Sequence, residues 1–382
     1  MTPVLRILGI RGIPAAHGGF ESFAETLALD LVAHGWEVIV YCQEDGDGPV
    51  REDRWRGVQR VLIPVATPGT SGTMIFDWRS ICHAAVRPGL CLTLGYNTAM
   101  FCARLKLAGV PNVINMDGIE WRRDKWGALA KAWFWINERA GCWLGEHLVA
   151  DHPEIATHLA TRVHASKITT IPYGADRVLP DPAADLQRFG LASGQYLTVI
   201  ARAEPENSLL EIVAAFSARP RGVKLAVLGR YEANHPYHQQ VRAAASHEVL
   251  FLGAIYDKPV VQQLRAHSLA YVHGHRVGGT NPSLVEALGA HNAVIAHDNK
   301  FNRWVAGPGA AYFADDRALD AVFTELLSNA PTLQAMQQAS ARRFEAGLGN
   351  EAVLAQYREL LLRWLPRPAA GQTLASRPRA GE

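Results

Sequence analysis

The sequence predicts an α/β chain of two doubly wound Rossmann-like domains facing a central cleft. Short apolar runs alternate with helical patterns from end to end. The runs are continuous rather than alternating, as in parallel strands buried on both faces. A stretch rich in Pro and Asp, near residues 174–195, separates two such series.

VLRILGI (Val4–Ile10) reads as the first strand, and FESFAETLALDLVAHG follows with Phe20, Phe23, Leu27 and Leu31 on one helical face. EVIVYC (Glu37–Cys42), VQRVLIPV (Val58–Val65), LCLTLG, VPNVINM and HLVA carry the series to about Ala150. KITTIPYGADR (Lys167–Arg177) leads into the break. YLTVIAR, KLAVLG, VLFLGA, LAYVHG and AVIAH form the second series. The expected domains are residues 1–175 and 176–350. A helix over 351–365, apolar on one face, is expected to pack back on the first domain. The Pro/Ala/Gly-rich tail, 366–382, reads as disordered.

With 48% hydrophobic and 19% charged residues among 382, this is an ordinary globular composition. A formal net charge of +2 implies no polyelectrolyte partner, hence no nucleic acid. Cys42, Cys82, Cys91, Cys102 and Cys142 are odd in number and lack CxxC spacing. They read as reduced thiols of a cytoplasmic protein, not as a disulfide framework or a zinc site. No run approaches the roughly 18 apolar residues of a spanning helix. The N-terminus lacks the apolar core of a signal peptide.

Ligands of open α/β sheets sit beyond the carboxyl ends of the strands, so the strand-to-helix loops carry the informative residues. In HGHRVGGTNPSLVEALG (His273–Gly289), Pro282 suits the first helical position and Asn281 the N-cap. Gly278 and Gly279 let the backbone turn and a ligand approach closely. The helix start, Asn281–Ser283, favours an anion, and Glu286 behind it can accept from two neighbouring hydroxyls. A phosphate at the cap with a diol behind it describes a nucleotide ribose-diphosphate; a capped helix with an exposed Glu is the alternative. Gly18 and Gly19 precede the first helix and can cradle phosphate or sugar. Asp117 follows the strand VPNVINM, where a partly desolvated carboxylate can act as base or orienting group for an acceptor hydroxyl; it can equally cap the next helix. Arg202 ends the first strand of the second series, where a guanidinium can clamp a diphosphate. Its alternative is a surface ion pair with Glu204 or Glu206.

These loops, in this order, resemble glycosyltransferase family 4 members with the GT-B fold, and within it the bacterial rhamnosyltransferase-like branch of capsule and exopolysaccharide synthesis. RGIPAAHGGFESFAE, DGIEWRRDKW, IPYGADR, GGTNPSLVEALG and HDNKFNRWV carry the resemblance, which spans roughly residues 4 to 365. It implies a retaining, metal-independent transfer from a nucleotide-diphosphate sugar to a lipid-linked saccharide, with dTDP-L-rhamnose as donor. The first domain is then the acceptor side, with His17, Tyr96 and Asp117 as acceptor-side residues. The second is the donor side. Arg202, Gly279, Thr280, Asn281, Pro282, Ser283 and Glu286 match its donor contacts, joined from the first domain by Gly18 and Gly19. Asp117 and Arg202 are the catalytic candidates. Two positions depart from the family: Asn207 stands where a Lys would be, and is expected to contact the donor through a hydrogen bond in its place, and Gly278 stands where a first Glu would be. No cofactor beyond the donor is implied.

Other readings remain open. An NAD site lacks GxGxxG; a metal-binding DxD at Asp45–Asp47 sits in an acidic turn. A sugar-nucleotide epimerase or a non-catalytic nucleotide-sugar-binding protein would share the two-domain shape. Trp121, Trp126, Trp133, Trp135 and Trp143, interleaved with Arg122, Arg123, Lys125, Lys131 and Arg139, suit a bilayer interface. Membrane contact would make the protein peripheral on the inner face of the plasma membrane. An amphipathic helix packing its Trp residues inward fits the same pattern. His273 and His275 read as hydrogen-bonded structural residues near the donor.

Overall fold

The computed structural model describes residues 2–15 and 18–366. His17 and the tail beyond Pro366 lie outside the described residues.

Two sheets organise the chain. The first holds β1 (Val4–Leu8), β2 (Glu37–Asp45), β3 (Arg51–Trp55), β4 (Val58–Val65), β5 (Leu90–Leu94), β6 (Asn112–Asn115), β7 (His147–Ala150) and β8 (Ile168–Thr170), in the order β3-β4-β2-β1-β5-β6-β7-β8. β3 pairs antiparallel with β4; β1, β2, β4, β5 and β6 pair parallel, as do β7 and β8. The second holds β9 (Tyr196–Ile200), β10 (Lys224–Leu228), β11 (Val249–Gly253), β12 (Ala270–His273), β13 (Ala293–His297) and β14 (Ala311–Phe313), in the order β11-β10-β9-β12-β13-β14. All its pairs are parallel. The expected α/β class with two parallel sheets is what the chain forms.

By contact density the described chain divides into two compact units. One comprises the residues up to Asn115, Asn137–His147 and the chain from Arg358 on; the other comprises Met116–Ile136 and Leu148–Tyr357.

In the first unit Leu5, Ile7, Val40 and Leu92 are fully buried, as continuous apolar strands require. The charged strand β3 is held on β4 by polar cross-strand pairs. Arg60 donates to both Asp53 oxygens at 2.8 and 2.5 Å, and Gln59 donates to Glu52 at 2.8 Å. Glu44, at the acidic turn, takes Arg51 at 2.6 Å. The last helix, Asn350–Arg363, ends in this unit. There Arg358 donates to both oxygens of Asp30, on the helix Gly19–Ala33, at 2.7 and 2.6 Å.

In the second unit Leu197, Leu225, Val227, Val272 and Ile295 share one core with the helix Leu209–Ser217. The helix Pro282–Gly289 buries Leu284, Val285, Ala287 and Leu288 on the other side of the sheet, against Phe344.

Gly9 closes β1 with φ +82°, and a Cβ there would lie 2.3 Å from the Leu94 carbonyl oxygen at the end of β5. Left-handed backbone alone costs an L-residue about 1–2 kcal/mol, and the clash adds to it. Gly9→Ala is expected to destabilise by about 3 kcal/mol in urea unfolding. A loss below about 1 kcal/mol would mean that the two strand ends can part freely.

Candidate active site

Strand order reverses between β1 and β5 in the first sheet and between β9 and β12 in the second. Doubly wound sheets bind ligands beyond such points. Nearly all the residues singled out in the sequence lie on the loops that follow these four strands, or on the loop after β6.

In the second unit the loops after β9 and β12 interlock. Gly274 has no room for a Cβ, which would meet the Asn207 carbonyl oxygen at 2.2 Å and Ile212 at 2.7 Å. Ser208, at φ +52°, donates to the Gly274 carbonyl at 2.8 Å. Arg276 donates its amide to the Glu206 carbonyl at 3.0 Å and its Nε to Ser208 at 2.8 Å. Asn207 departs from the expectation of a donor contact. It is 4% exposed, and its amide donates to the Arg202 carbonyl at 2.9 Å, so it shapes the loop that carries Arg202.

Past this junction the chain turns through Gly278 (φ +130°) into the helix Pro282–Gly289. Asn281 caps it, Oδ1 accepting from the Ser283 amide at 3.0 Å, with Pro282 in the first turn. Ser283 also ties the cap to β9: its hydroxyl lies 3.4 Å from the Ile200 carbonyl and 2.8 Å from the Tyr271 hydroxyl. Arg202 follows two residues after Ile200. Arg265, nearly buried, donates to Ser283 at 2.9 Å and pairs with Glu286 at 2.5 Å. Its guanidinium orients the Glu286 carboxylate while leaving that side chain 42% exposed.

The loop after β6 belongs to this unit. Asp117 adopts φ +51°, a left-handed conformation that Asp tolerates better than most residues. Gly118 comes within 3.9 Å, as a placed Cβ, of Gly278 and Gly279. Arg123 donates to Glu120 at 2.7 Å and to Glu206, tying this loop to the one after β9. Glu206 is thus committed to Arg123 and not to Arg202. Arg202 and Lys125 have no ion pair among the described residues; burial, then Arg123, depresses the Lys125 ammonium, with Glu120 opposing and Arg202 adding to the shift. A cavity of about 320 Å³ opens between Gly118, Arg123, Glu154, Gly278, Lys300 and Phe301.

Beside the glycines lie two acids, Asp151 buried and Asp117 half-buried. Asp151, 2% exposed, follows β7 and accepts from the Thr280 amide at 2.9 Å. Burial, then the charge of Asp117, pushes its carboxyl up to about 8; burial, then Glu120, pushes Asp117 up to about 6. Tyr173 is raised by burial and then by these two acids. His273 and His275 stack at 4.3 Å and 8° between ring planes. Contrary to the hydrogen-bonded role expected, neither His273 nitrogen has a partner among the described residues, nor does His275 Nδ1. Burial, then His275 and His297, depresses His273; burial, then Arg202 and Arg123, holds His275 down at about 3. Both rings are neutral at physiological pH.

In the first unit Gly18 caps the helix Gly19–Ala33 in an extended conformation. Tyr96 departs from the expectation of an acceptor contact, because its ring is 1% exposed and offers no surface to a saccharide. The second unit therefore gathers Asp117, Arg202, Gly279–Ser283 and Glu286. It adds Asp151, Lys125 and Arg265, which the sequence reading did not assign to a site. Asp151 directly follows the apolar run HLVA, as Asp117 follows VPNVINM, so the signal that marks one acid marks the other.

A family model described as a domain of unknown function (DUF1972) matches residues 2–176. No curated protein matches. Among solved structures, sucrose-phosphate synthase from Thermosynechococcus elongatus aligns at TM-score 0.80 and 15% identity, over 94% of this chain and 98% of that one. Anabaena HepE in complex with UDP aligns at 0.74 and 14%, over 95% and 100%. The UDP-forming α,α-trehalose-phosphate synthase of Burkholderia xenovorans, in complex with glucose-6-phosphate, aligns at 0.69 and 13%, over 94% and 100%. These likenesses show the fold: the chain has the GT-B architecture.

The two acids make stability pH-dependent. Raised in the fold above their unfolded values, they hold extra protons, so their contribution is present at low pH and lost as pH rises towards 8. The depressed histidines act oppositely below about pH 6.5 and cancel in a comparison of variants. Between pH 5 and 9 the wild type is expected to lose at least about 1.4 kcal/mol, one pKa unit's worth, relative to D117N/D151N. Parallel urea profiles at the two pH values would show that the acids are not held protonated.

Proposed function

We propose that the chain is a retaining glycosyltransferase of the family 4 type, independent of metal. The carrying observation is the junction at the second switch point. It gathers two cations without acidic partners among the described residues, Arg202 and Lys125, a capped helix start and an oriented Glu286 on neighbouring loops. That set suits a nucleoside diphosphate sugar: cations and helix start for the diphosphate, Glu286 for the ribose hydroxyls. Lys125 supplies positive charge that Asn207 lacks. Gly278, at φ +130°, has a backbone in which a glutamate would be strained, so the contacts to the sugar ring come from the backbone of Gly279 and Asn281, the expected Thr280 contact being ruled out because its buried amide is held by Asp151.

In the reaction the bond from the anomeric carbon to the diphosphate breaks, and the electron pair leaves with the phosphate. Arg202 and Lys125 stabilise that charge. The acceptor hydroxyl forms the new bond on the same face, and its proton passes to Asp117, ionised above about pH 6. HepE binds UDP in its solved complex, and the trehalose-phosphate synthase of Burkholderia xenovorans is UDP-forming; a nucleoside diphosphate in this chain is in keeping with both. The branch resemblance favours dTDP-L-rhamnose as donor and a lipid-linked saccharide of exopolysaccharide, capsule or O-antigen synthesis as acceptor.

Such an acceptor calls for a membrane surface. No helix among the described residues is long and apolar enough to cross a membrane. The helix Ala128–Leu144, however, buries Asn137, Glu138, Gly141 and Cys142 and leaves Leu129, Trp135, Ile136 and Trp143 exposed. At about 100° per residue these four fall on one face. None of the five clustered tryptophans is buried in a core. We place the protein in the cytoplasm, peripheral on the inner face of the plasma membrane.

Thermal unfolding against UDP, GDP, dTDP and NAD is expected to show a shift with one nucleoside diphosphate, lost in Glu286→Ala. Saturation at 100 times Kd adds about 2.7 kcal/mol. A shift with NAD alone, or none at millimolar ligand, overturns the donor site. Arg202→Ala is expected to lose roughly 100- to 1000-fold in kcat; a loss under threefold removes Arg202 from the site. Binding without turnover on any acceptor would favour a non-catalytic nucleotide-sugar-binding protein. Co-sedimentation with anionic vesicles at low salt is expected for the wild type and at least fivefold weaker in Trp135→Ser/Trp143→Ser. Equal sedimentation of the two would remove the exposed face from that role.

A further inference from the structure

Among the described residues, the glycine-rich turn ahead of the helix Pro282–Gly289 is fastened at Asp151. The Thr280 amide donates to Asp151 Oδ2 at 2.9 Å, and the Thr280 hydroxyl donates to the Asp151 carbonyl. Both residues are 2% exposed. The fit is tight enough to dictate the neighbouring residue: a Cβ on Gly279 would lie 2.2 Å from Asp151 Oδ1 and 2.5 Å from Oδ2. On its own side, Asp151 sits between β7 and the helix Pro153–Leu159. His152 caps that helix by accepting from the Glu154 amide at 3.0 Å, with its ring packed on Phe301 and Trp304.

The surroundings determine which form of Asp151 the fold accepts. The ionisable groups that act on it are Asp117, from the loop after β6, and Tyr173, from the segment after β8. No Lys, Arg or His acts on it among the described residues. Its Oδ1 is buried with no partner there. A neutral carboxyl fits this setting, with Oδ2 accepting from Thr280. A carboxylate would put a buried negative charge beside Asp117, offset only by the backbone amides of Thr280 and Asp151, and a buried charge without a countercharge is among the costliest features a fold can carry. The easiest escape is to open the turn and admit water.

We propose that Asp151 is a positioning residue of the active site: uncharged, it pins the turn Gly278–Thr280 in the shape that presents Asn281–Ser283 to the donor diphosphate, and ionised, it releases that turn. The inference rests on the donor site proposed above for its functional meaning, but the pin is measurable without any donor. It gives the site an alkaline limit set by a residue that touches neither substrate.

Amide hydrogen exchange of a peptide spanning residues 276–284 tests it at pH 6.5 and pH 9, corrected for intrinsic exchange. In the wild type, protection of this peptide is expected to fall about tenfold, while a peptide from the helix Leu209–Ser217 stays constant. In Asp151→Asn, a permanently neutral isostere, protection is expected to stay high at both values. In Asp151→Ala it is expected to be low at both; should that variant not fold, Asp151→Asn against wild type decides alone. Protection independent of pH in the wild type, or falling equally in Asp151→Asn, overturns the pin. Titration with UDP, GDP and dTDP at pH 6.5 separates the two readings. Asp151→Asn is expected to bind the same nucleotide within threefold of wild type, and Asp151→Ala at least tenfold more weakly. Equal binding by wild type and Asp151→Ala overturns the positioning role. Binding of none by the wild type overturns the donor site and leaves the pin to the exchange data.

Discussion

A side chain at Gly274 would collide with the Asn207 carbonyl oxygen at 2.2 Å, and much of the second unit's site follows from that exclusion. It brings the loop after β12 onto the loop after β9. Ser208 and Arg276 can then join them, and Arg202 comes to stand near the start of the helix that bears Glu286. The same device recurs at Gly229, where a Cβ would lie 2.4 Å from the Ala201 carbonyl oxygen, and at Gly279, where one would strike the Asp151 carboxyl. Each contact sets the conformational cost of a glycine against a backbone approach that no other residue permits. The loops of this site are therefore shaped by steric exclusion first and by hydrogen bonds second.

Charge is distributed on this frame by pairing some groups and leaving others unpaired. Glu206 and Glu120 neutralise Arg123, which fastens two loops. Arg265 is buried against Glu286 and holds it in place. Arg202 and Lys125 form no ion pair among the described residues, with Glu120 and Glu206 acting on Lys125 only at longer range, and burial favours the neutral forms of Asp151, His273 and His275. These two cations suit a diphosphate, while Glu286, held by Arg265, is left to accept from hydroxyls.

The parallel strands were legible because burial on both faces leaves a continuous apolar run. β3 was not: REDRW is charged throughout, and it is a strand only because Arg60 and Gln59 on β4 supply partners for Asp53 and Glu52. The N-cap at Asn281 with Pro282 was legible because capping is local. Asn207 was misplaced because its amide turns back to Arg202, a choice made by loop shape. Tyr96 was misplaced because a residue after a strand can point into the core as readily as out of it. The unsatisfied histidine pair had no local signal, since hydrogen-bond satisfaction depends on which segments arrive around a ring.

The ion pair between Asp30 and Arg358 joins residues 328 positions apart within one unit. A ribosome delivers the helix Gly19–Ala33 early and Arg358 almost last. The first unit can gather its parallel strands during synthesis, but it cannot close this contact until the second unit has been made in full. Its assembly is finished in reverse order, the element translated first waiting for the one translated at the end, so that a nascent chain stalled before Arg358 would expose a half-buried acid awaiting its partner.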